Sequence, residues 1–378
     1  RTGAQSYTAA MLEGIKELGQ VQPIVRYPSG HKDTLEVAVL RCIRTGVAQS
    51  SGNMTIQQCK DMGWNHVLVS QHLGARVSDT DPIADHAGWQ GKVYCIAGKD
   101  AQFDNLLDAT GYPENPLGLC GYNCRHSFTP FLPGVSQNHN KPIDTEANRR
   151  AYELSQTQRA MERRIRAQKR KCTALHTAVK SCEDTAGKAK LQEKYAQSAK
   201  RLQDQNAAYT KFCDDNDLKP YHERLAVAGW DRSAASTASA AVREQKRVDK
   251  MIADFNAEHV AKDPAELLPK YEYAHGVKEK LLNYSLNMKE GASGRDKAVV
   301  FQAALGYNAN NYELLMQEIM AGIGRYKASG KTTTEHGEKF TVRMLVKGAN
   351  GRYVPIRTGW IIAPEDRTPR MTTAFVDR

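Results

Sequence analysis

The sequence predicts a multi-domain α+β protein. A mixed α/β domain spans residues 1–134, a long α-helical hairpin 135–232, a linker 233–262, and an α+β domain with an antiparallel sheet 263–378. Three observations predict this. Two heptad registers, Leu154–Cys182 and Leu191–Phe212, are separated by a short break. The last third ends in alternating apolar stretches joined by Asn350-Gly351. The chain has 378 residues, more than one core serves at roughly 100–200 residues per domain.

In the first domain, Ser6–Leu18 has helical spacing, with Tyr7, Met11, Ile15 and Leu18 on one side. Tyr27–His31 reads as a turn. Leu35–Val47 reads as a second amphipathic helix, with Val37, Leu40 and Val47 among its apolar positions. His66–Ser70 is a short apolar run rich in β-branched residues and predicts a buried strand. The density of Gly and Pro between Gly111 and Gly134 predicts irregular loops.

In the hairpin, one seam position holds Gln158, Ile165, Cys172 and Val179, and the other Leu154, Met161, Gln168, Leu175 and Cys182. After a break at Glu183–Lys188 a second register runs through Leu191, Tyr195, Ser198, Leu202, Gln205, Tyr209 and Phe212. Two helices with such seams bury them best against each other as an antiparallel pair. Ser233–Ala241 is almost all Ser, Ala and Thr, and reads with the thinly apolar stretch up to His259 as a partly helical linker. Beyond it, Lys297–Leu305 and Asn311–Ile323 read as helices. Phe340–Val346, Tyr353–Ile362 and Met371–Val376 read as strands of a meander, the first two joined through the Asn-Gly turn.

Composition excludes some classes. No stretch approaches the ~18 apolar residues of a membrane span, so no membrane partner is expected. Eight cysteines lie scattered without framework spacing, as expected of a reduced protein. Because the first residue is Arg1, further residues upstream are expected. The net charge of +11 favours an anionic partner. Its densest stretch lies between Arg149 and Lys171, with nine basic residues against Glu153 and Glu162. Arg159, Arg163, Arg164, Arg166, Lys169, Arg170 and Lys171 are the candidates for contacting nucleic acid, without sequence preference because no base-reading signature accompanies them. The alternative is a solvated helix face.

Cys120, Cys124 and His126 fall within seven residues, and His86 or Cys95 would complete a set of four. Zinc takes such ligands, and a loop-rich region gains from a staple. The spacing is not that of a zinc finger, so buried thiols beside a hydrogen-bonded histidine are the competing reading.

Several motifs resemble one family. Tyr27-Pro-Ser-Gly-His31, Val37–Gln49, Val69–Arg76, His86–Tyr94, Gln158–Arg166 and above all Gly118-Leu-Cys-Gly-Tyr-Asn-Cys-Arg-His126 with its continuation to Gly134 resemble the minor capsid protein 2 family of phages of Gram-positive bacteria. That family is related to the Mu-type head morphogenesis proteins. The resemblance implies a structural protein of a tailed phage, in few copies inside the capsid near the portal vertex, with portal or major capsid protein as partner. Mu-type domains have been likened to ADP-ribosyltransferases, which implies a matching N-terminal fold; Arg44 or His72 and Glu114 are the residues such chemistry would use, although no Ser-Thr-Ser stretch accompanies them.

The last segment resembles a different, uncharacterised domain through Lys280–Asn287, Gly294–Ala298, Ala304–Tyr307, Gly348–Gly351, Thr358–Ile362 and Pro369–Thr373. That domain also ends polymorphic toxins. The resemblance opens a rival expectation, a virion-delivered effector with nuclease-like chemistry, for which His275, Lys297, His336 and Arg370 are the candidate groups.

Overall fold

The computed structural model describes residues 24–27, 30 and 32–377. The expected helix Ser6–Leu18 lies outside the described residues, as do Pro28, Ser29 and His31 of the first turn. The chain divides into two compact units. One runs to Ala167 and adds Asp204–Ala226; the other comprises Gln168–Gln203 and everything from Val227 onward.

The first unit opens with an antiparallel ribbon of β1 (Ile24–Arg26) and β2 (Lys32–Thr34), followed by α1 (Leu35–Asp61). A three-stranded antiparallel sheet follows, with β3 (His66–Val69) between β4 (Val93–Cys95) and β5 (Phe128–Pro130). Short helices α2 (His86–Trp89) and α3 (Leu106–Thr110) lie in its connections. Val67, Val69, Trp89, Tyr94, Leu106, Tyr112, Leu119 and Phe128 form the core.

Helix α1 extends well past Val47, and its inner face differs from the sequence expectation. Val47 is exposed, while Ala38, Thr45, Gly52 and Cys59 are buried. These residues lie seven apart, and at Gly52 the lack of a side chain lets Tyr112 and Phe128 of β5 approach the helix. A Cβ at Gly52 would stand 2.7 Å from the Tyr112 hydroxyl and 3.1 Å from the Phe128 ring. Apolar bulk therefore marks the wrong face of this helix.

The hairpin consists of α4 (Thr145–Ser181) and α5 (Thr185–Asp215). Asp144 caps the first through the Ala147 N–H (2.8 Å), and Asp184 the second through the Gly187 N–H (2.6 Å). The seam follows the heptads: Gln158, Ile165, Gln168, Cys172, Leu175 and Cys182 are buried, as are Leu191, Tyr195, Ser198, Leu202 and Tyr209. Cross-helix pairs fix the antiparallel register within each unit. Tyr209 Oη donates to Glu162 (3.3 Å) in the first, and Gln168 Nε2 donates to the Ser198 carbonyl (2.8 Å) and hydroxyl (2.7 Å) in the second. Buried polar pairs of this kind specify register.

The expected linker is a helix, α6 (Arg232–His259), capped by Asp231 on the Ala234 N–H at 2.8 Å. Its Ala-rich start has high helix propensity, and its far end belongs to the C-terminal core, where Ile252 and Phe255 pack. Beyond it come α7 (Val277–Lys280), which runs into a π-turn at Leu281–Ser285, then α8 (Arg295–Leu305) and α9 (Tyr312–Ile323).

A four-stranded antiparallel sheet follows in the order β6 (Ala328–Thr334), β7 (Gly337–Lys347), β8 (Tyr353–Ile362), β9 (Pro369–Val376). Phe301, Leu305, Leu315, Ile319 and Ile323 face it from α8 and α9. Trp360, opposite Phe340 in the register, is buried and donates its indole N–H to Thr358 Oγ1 at 2.9 Å. Strand β6 has no counterpart in the sequence reading. It is a polar, largely exposed edge without apolar alternation.

Candidate functional site

The densest cluster of chemically active side chains in the first unit lies between α2 and the loop that leads into β5. Among the described residues, one ligand atom each from His86, Cys124 and His126 lies within 4.8 Å of the other two. His86 is the first residue of α2, and the chain before it is tied down by Asp85, whose carboxylate accepts the Ser78 N–H. Cys124 and His126 sit on a loop that closes through left-handed Cys120 and Asn123 (φ 58° each). Glycines let this loop fold tightly: a Cβ on Gly118 would run into the Thr110 carbonyl.

Hydrogen bonds assign the imidazole nitrogens. His86 Nε2 donates to the Leu117 carbonyl at 2.8 Å, and His126 Nε2 to Gln90 Oε1 at 3.1 Å. Each ring therefore keeps Nδ1 as an unprotonated acceptor. That of His126 lies 3.6 Å from Cys124 Sγ, which also accepts the His126 backbone N–H at 3.4 Å. Burial holds both imidazoles neutral, His86 lowered to about 4 and His126 to about 3. Burial raises the Cys124 thiol, while backbone donors and the Arg76 guanidinium oppose that rise.

His72 completes an aromatic stack. Its ring lies 4.4 Å from that of His126 with planes 22° apart, and Trp89 meets His126 edge-on at 4.9 Å. His72 Nδ1 donates to the Leu73 carbonyl at 3.0 Å, which leaves Nε2 buried without a hydrogen-bond partner among the described residues. A cavity of about 210 Å³ opens beside these rings, lined by His72 and His86 together with Arg76, Arg125, Tyr152 and Arg159. No acidic side chain is among the described residues that line it. Burial and the neighbouring Arg125 and Arg224 lower the Arg159 pKa.

Of the four residues expected to hold metal, three converge and Cys120 does not join the donor set. Its buried thiol, pushed up to about 12 by burial and by Cys124, points to the His126 carbonyl. Cys95 turns to the Gly98 carbonyl. The basic stripe divides similarly. Arg163, Arg164 and Lys171 are exposed, whereas Arg166 donates to the Arg224 carbonyl at 2.6 Å and Arg159 lines the cavity; Lys169 and Arg170 are half-buried. Arg44 and Glu114 are exposed, on α1 and on the loop after α3.

In the second unit, His275 Nε2 lies 2.9 Å from Asp366, and the His275 backbone bridges to Arg370 at the start of β9. Lys297 donates to Thr373 Oγ1 at 2.8 Å and lies over the Tyr284 ring. His336 stands on the exposed β6–β7 turn beside Glu335. His275 and Arg370 are thus neighbours, and His336 is held on a different turn.

Comparison with known proteins relates the sequence to two families. The family described as phage minor capsid protein 2 matches residues 1–214, which takes in the β-sheet unit and both hairpin helices almost to the end of α5. The chain belongs to that family. Residues 267–378 match a second family, a domain of unknown function (DUF6883). A structural protein of Lactococcus phage LL-H is 29% identical over 146 residues, 38% of this chain and 37% of that protein. A structural protein of Lactococcus phage mv4 is 29% identical over 114 residues, 30% of this chain and 84% of that protein. The match thus spans little more than a third of the LL-H relative. No solved structure matches the chain.

For this minor capsid protein, sequence spacing pointed to Cys120, Cys124, His126 and His86, of which Cys120 stands outside the donor set. It missed the part played by His72 and Gln90. They reach the cluster only through the turn after β3 and the end of α2, and no spacing in the chain encodes that.

Proposed function

We propose that this protein is a structural component of a tailed-phage virion, present in few copies near the portal vertex on the inner side of the head. Its N-terminal unit and hairpin dock to portal or capsid protein. The observation that carries this reading is the extent of the family match, which takes in the sheet unit and almost the whole hairpin and stops short of α6. Mass spectrometry of purified particles tests it. The expected result is this chain at a small fraction of the major capsid protein, cross-linking to the portal; its absence from intact virions overturns the proposal.

A head interior puts DNA within reach, and Arg163, Arg164 and Lys171 are the exposed ones among the candidate cations of α4. Binding there is electrostatic, so the slope of log affinity against log salt should fall by about one for each of these residues replaced by Ala. An unchanged slope refutes the contact.

The rival role, a delivered effector, draws on the pairing of His275 with Asp366 beside Arg370. Expression of residues from Arg232 onward in bacteria separates the two. A structural module leaves growth unchanged, and an RNA-cutting one stops it.

A further inference from the structure

We propose that His86, Cys124 and His126 form a binding site for a zinc-class transition metal, with its fourth coordination position on the side of the cavity where His72 stands. The metal would staple the loop before β5 to α2.

The argument begins with the ligand atoms. Zinc takes imidazole nitrogen at about 2.0–2.1 Å and thiolate sulfur at about 2.3 Å, so tetrahedral ligand atoms stand about 3.3–3.8 Å apart. Cys124 Sγ and His126 Nδ1, 3.6 Å apart, already meet that spacing, and the full triad, within 4.8 Å, needs a contraction of about 1 Å to close on an ion. Side-chain rotation about χ angles supplies such a movement without shifting the backbone.

The outer contacts point the same way. Metal-bound histidines donate their second ring N–H to a carbonyl or carboxylate, which fixes the tautomer and turns the bare nitrogen to the ion. His86 does this with the Leu117 carbonyl and His126 with Gln90 Oε1. His72 repeats the pattern with the Leu73 carbonyl and leaves a buried Nε2 that no group in the described residues satisfies. A buried acceptor without a partner is unfavourable, and here it sits on a ring stacked on His126, which in turn meets His86 edge-on. The main-chain N–H of His126 on Cys124 Sγ would support the sulfur as a thiolate once a metal replaces its proton.

Local structure gives the site a purpose. The segment from Gly111 to Gly134 has little regular structure and two non-glycine residues in left-handed conformations, Cys120 and Asn123. A cross-link from this segment to α2 would restrain a stretch whose backbone is held by few regular hydrogen bonds.

The test uses the full chain. Purified protein is stripped with chelator, then titrated with Co²⁺ and, separately, Zn²⁺, with metal content measured after dialysis. The expected result is close to one equivalent of either ion and a thiolate-to-cobalt charge-transfer band. Cys124→Ser should abolish the band, and His86→Gln should weaken binding at least tenfold. Cys120→Ser, whose thiol lies outside the donor set, should keep both the band and the equivalent. Wild-type protein that is folded by circular dichroism yet takes up no metal overturns the proposal. So does a band that survives in Cys124→Ser or disappears only in Cys120→Ser.

Discussion

Ile165 offers the sharpest test of the hairpin. It is fully buried on the seam of α4, in the unit that also holds the end of the partner helix α5 from Asp204 onward. Ile165→Ala removes three carbon atoms, about 0.8 kcal/mol each by transfer alone, and leaves a cavity that raises the total to about 2–5 kcal/mol. Because the protein has two units, a single melting temperature would mix their transitions. Hydrogen exchange resolved by peptide is the better assay. A loss of 2 kcal/mol or more in local opening speeds exchange about 30-fold or more in fragments from Leu154–Ala167 and Asp204–Cys213. Arg163→Ala, on the exposed face, is the control and should change exchange little. Arg166 would be a poor control, since its guanidinium bonds the Arg224 carbonyl. If Ile165→Ala and Arg163→Ala exchange alike, the heptad register is wrong.

Two further outcomes follow from the packing. Glu162 is buried beside Tyr209 and Arg224, and burial raises its pKa, so the folded state favours the protonated acid. Its stabilising contribution is present below the unfolded-state pKa and is lost as pH rises through the higher folded value; Glu162→Gln should therefore flatten the pH dependence of hairpin exchange, and an unchanged profile refutes this. In the second unit, a fragment starting at Arg232 should unfold cooperatively with Trp360 as its single tryptophan. One starting at Asp263 loses Ile252, Phe255 and the His259–Arg343 contact and should be weaker by about 2–4 kcal/mol in urea; equal midpoints would exclude α6 from the core.

The parts of the fold legible in the sequence share one property: their apolar residues recur at the period of the element. The α4 and α5 seams, β7 and β8 all do so, and the Asn350-Gly351 turn joins the strands where expected. What stayed hidden lacks that signal for physical reasons. The inner face of α1 is small because Tyr112 and Phe128 press on Gly52, so bulk indicated the exposed face. Strand β6 is a polar edge, held by hydrogen bonds to β7 and not by burial. Ser and Ala at the start of α6 look like a tether, yet alanine favours helix and Asp231 caps it. At the candidate site, Cys124 and His126 were visible as neighbours in sequence. The exclusion of Cys120 depends on its left-handed backbone, which turns the thiol to a carbonyl, and nothing in the spacing announces that.

The C-terminal module is therefore not a rider on a loose string. A flexible linker would leave it free to move, as domains with small polar contacts generally do. Here α6 ends inside the module: Phe255 stacks on His259 and meets Tyr326 edge-on, Asn256 accepts from the Tyr326 hydroxyl, and Val260 pairs with the same residue. The hairpin tip belongs to the same compact unit, through the Lys347–Glu193 ion pair and the turn at Gly351 against Ala189. The ion pair is half-exposed and contributes about 0–1 kcal/mol at most. Close fit matters more, because a side chain at Gly351 would need both the strained φ of 79° and space 2.6 Å from the Ala189 methyl. The family match ends at the hairpin, yet the tip of that hairpin is where the second module rests. Any partner that grips the tip must therefore compete with, or include, the appended domain.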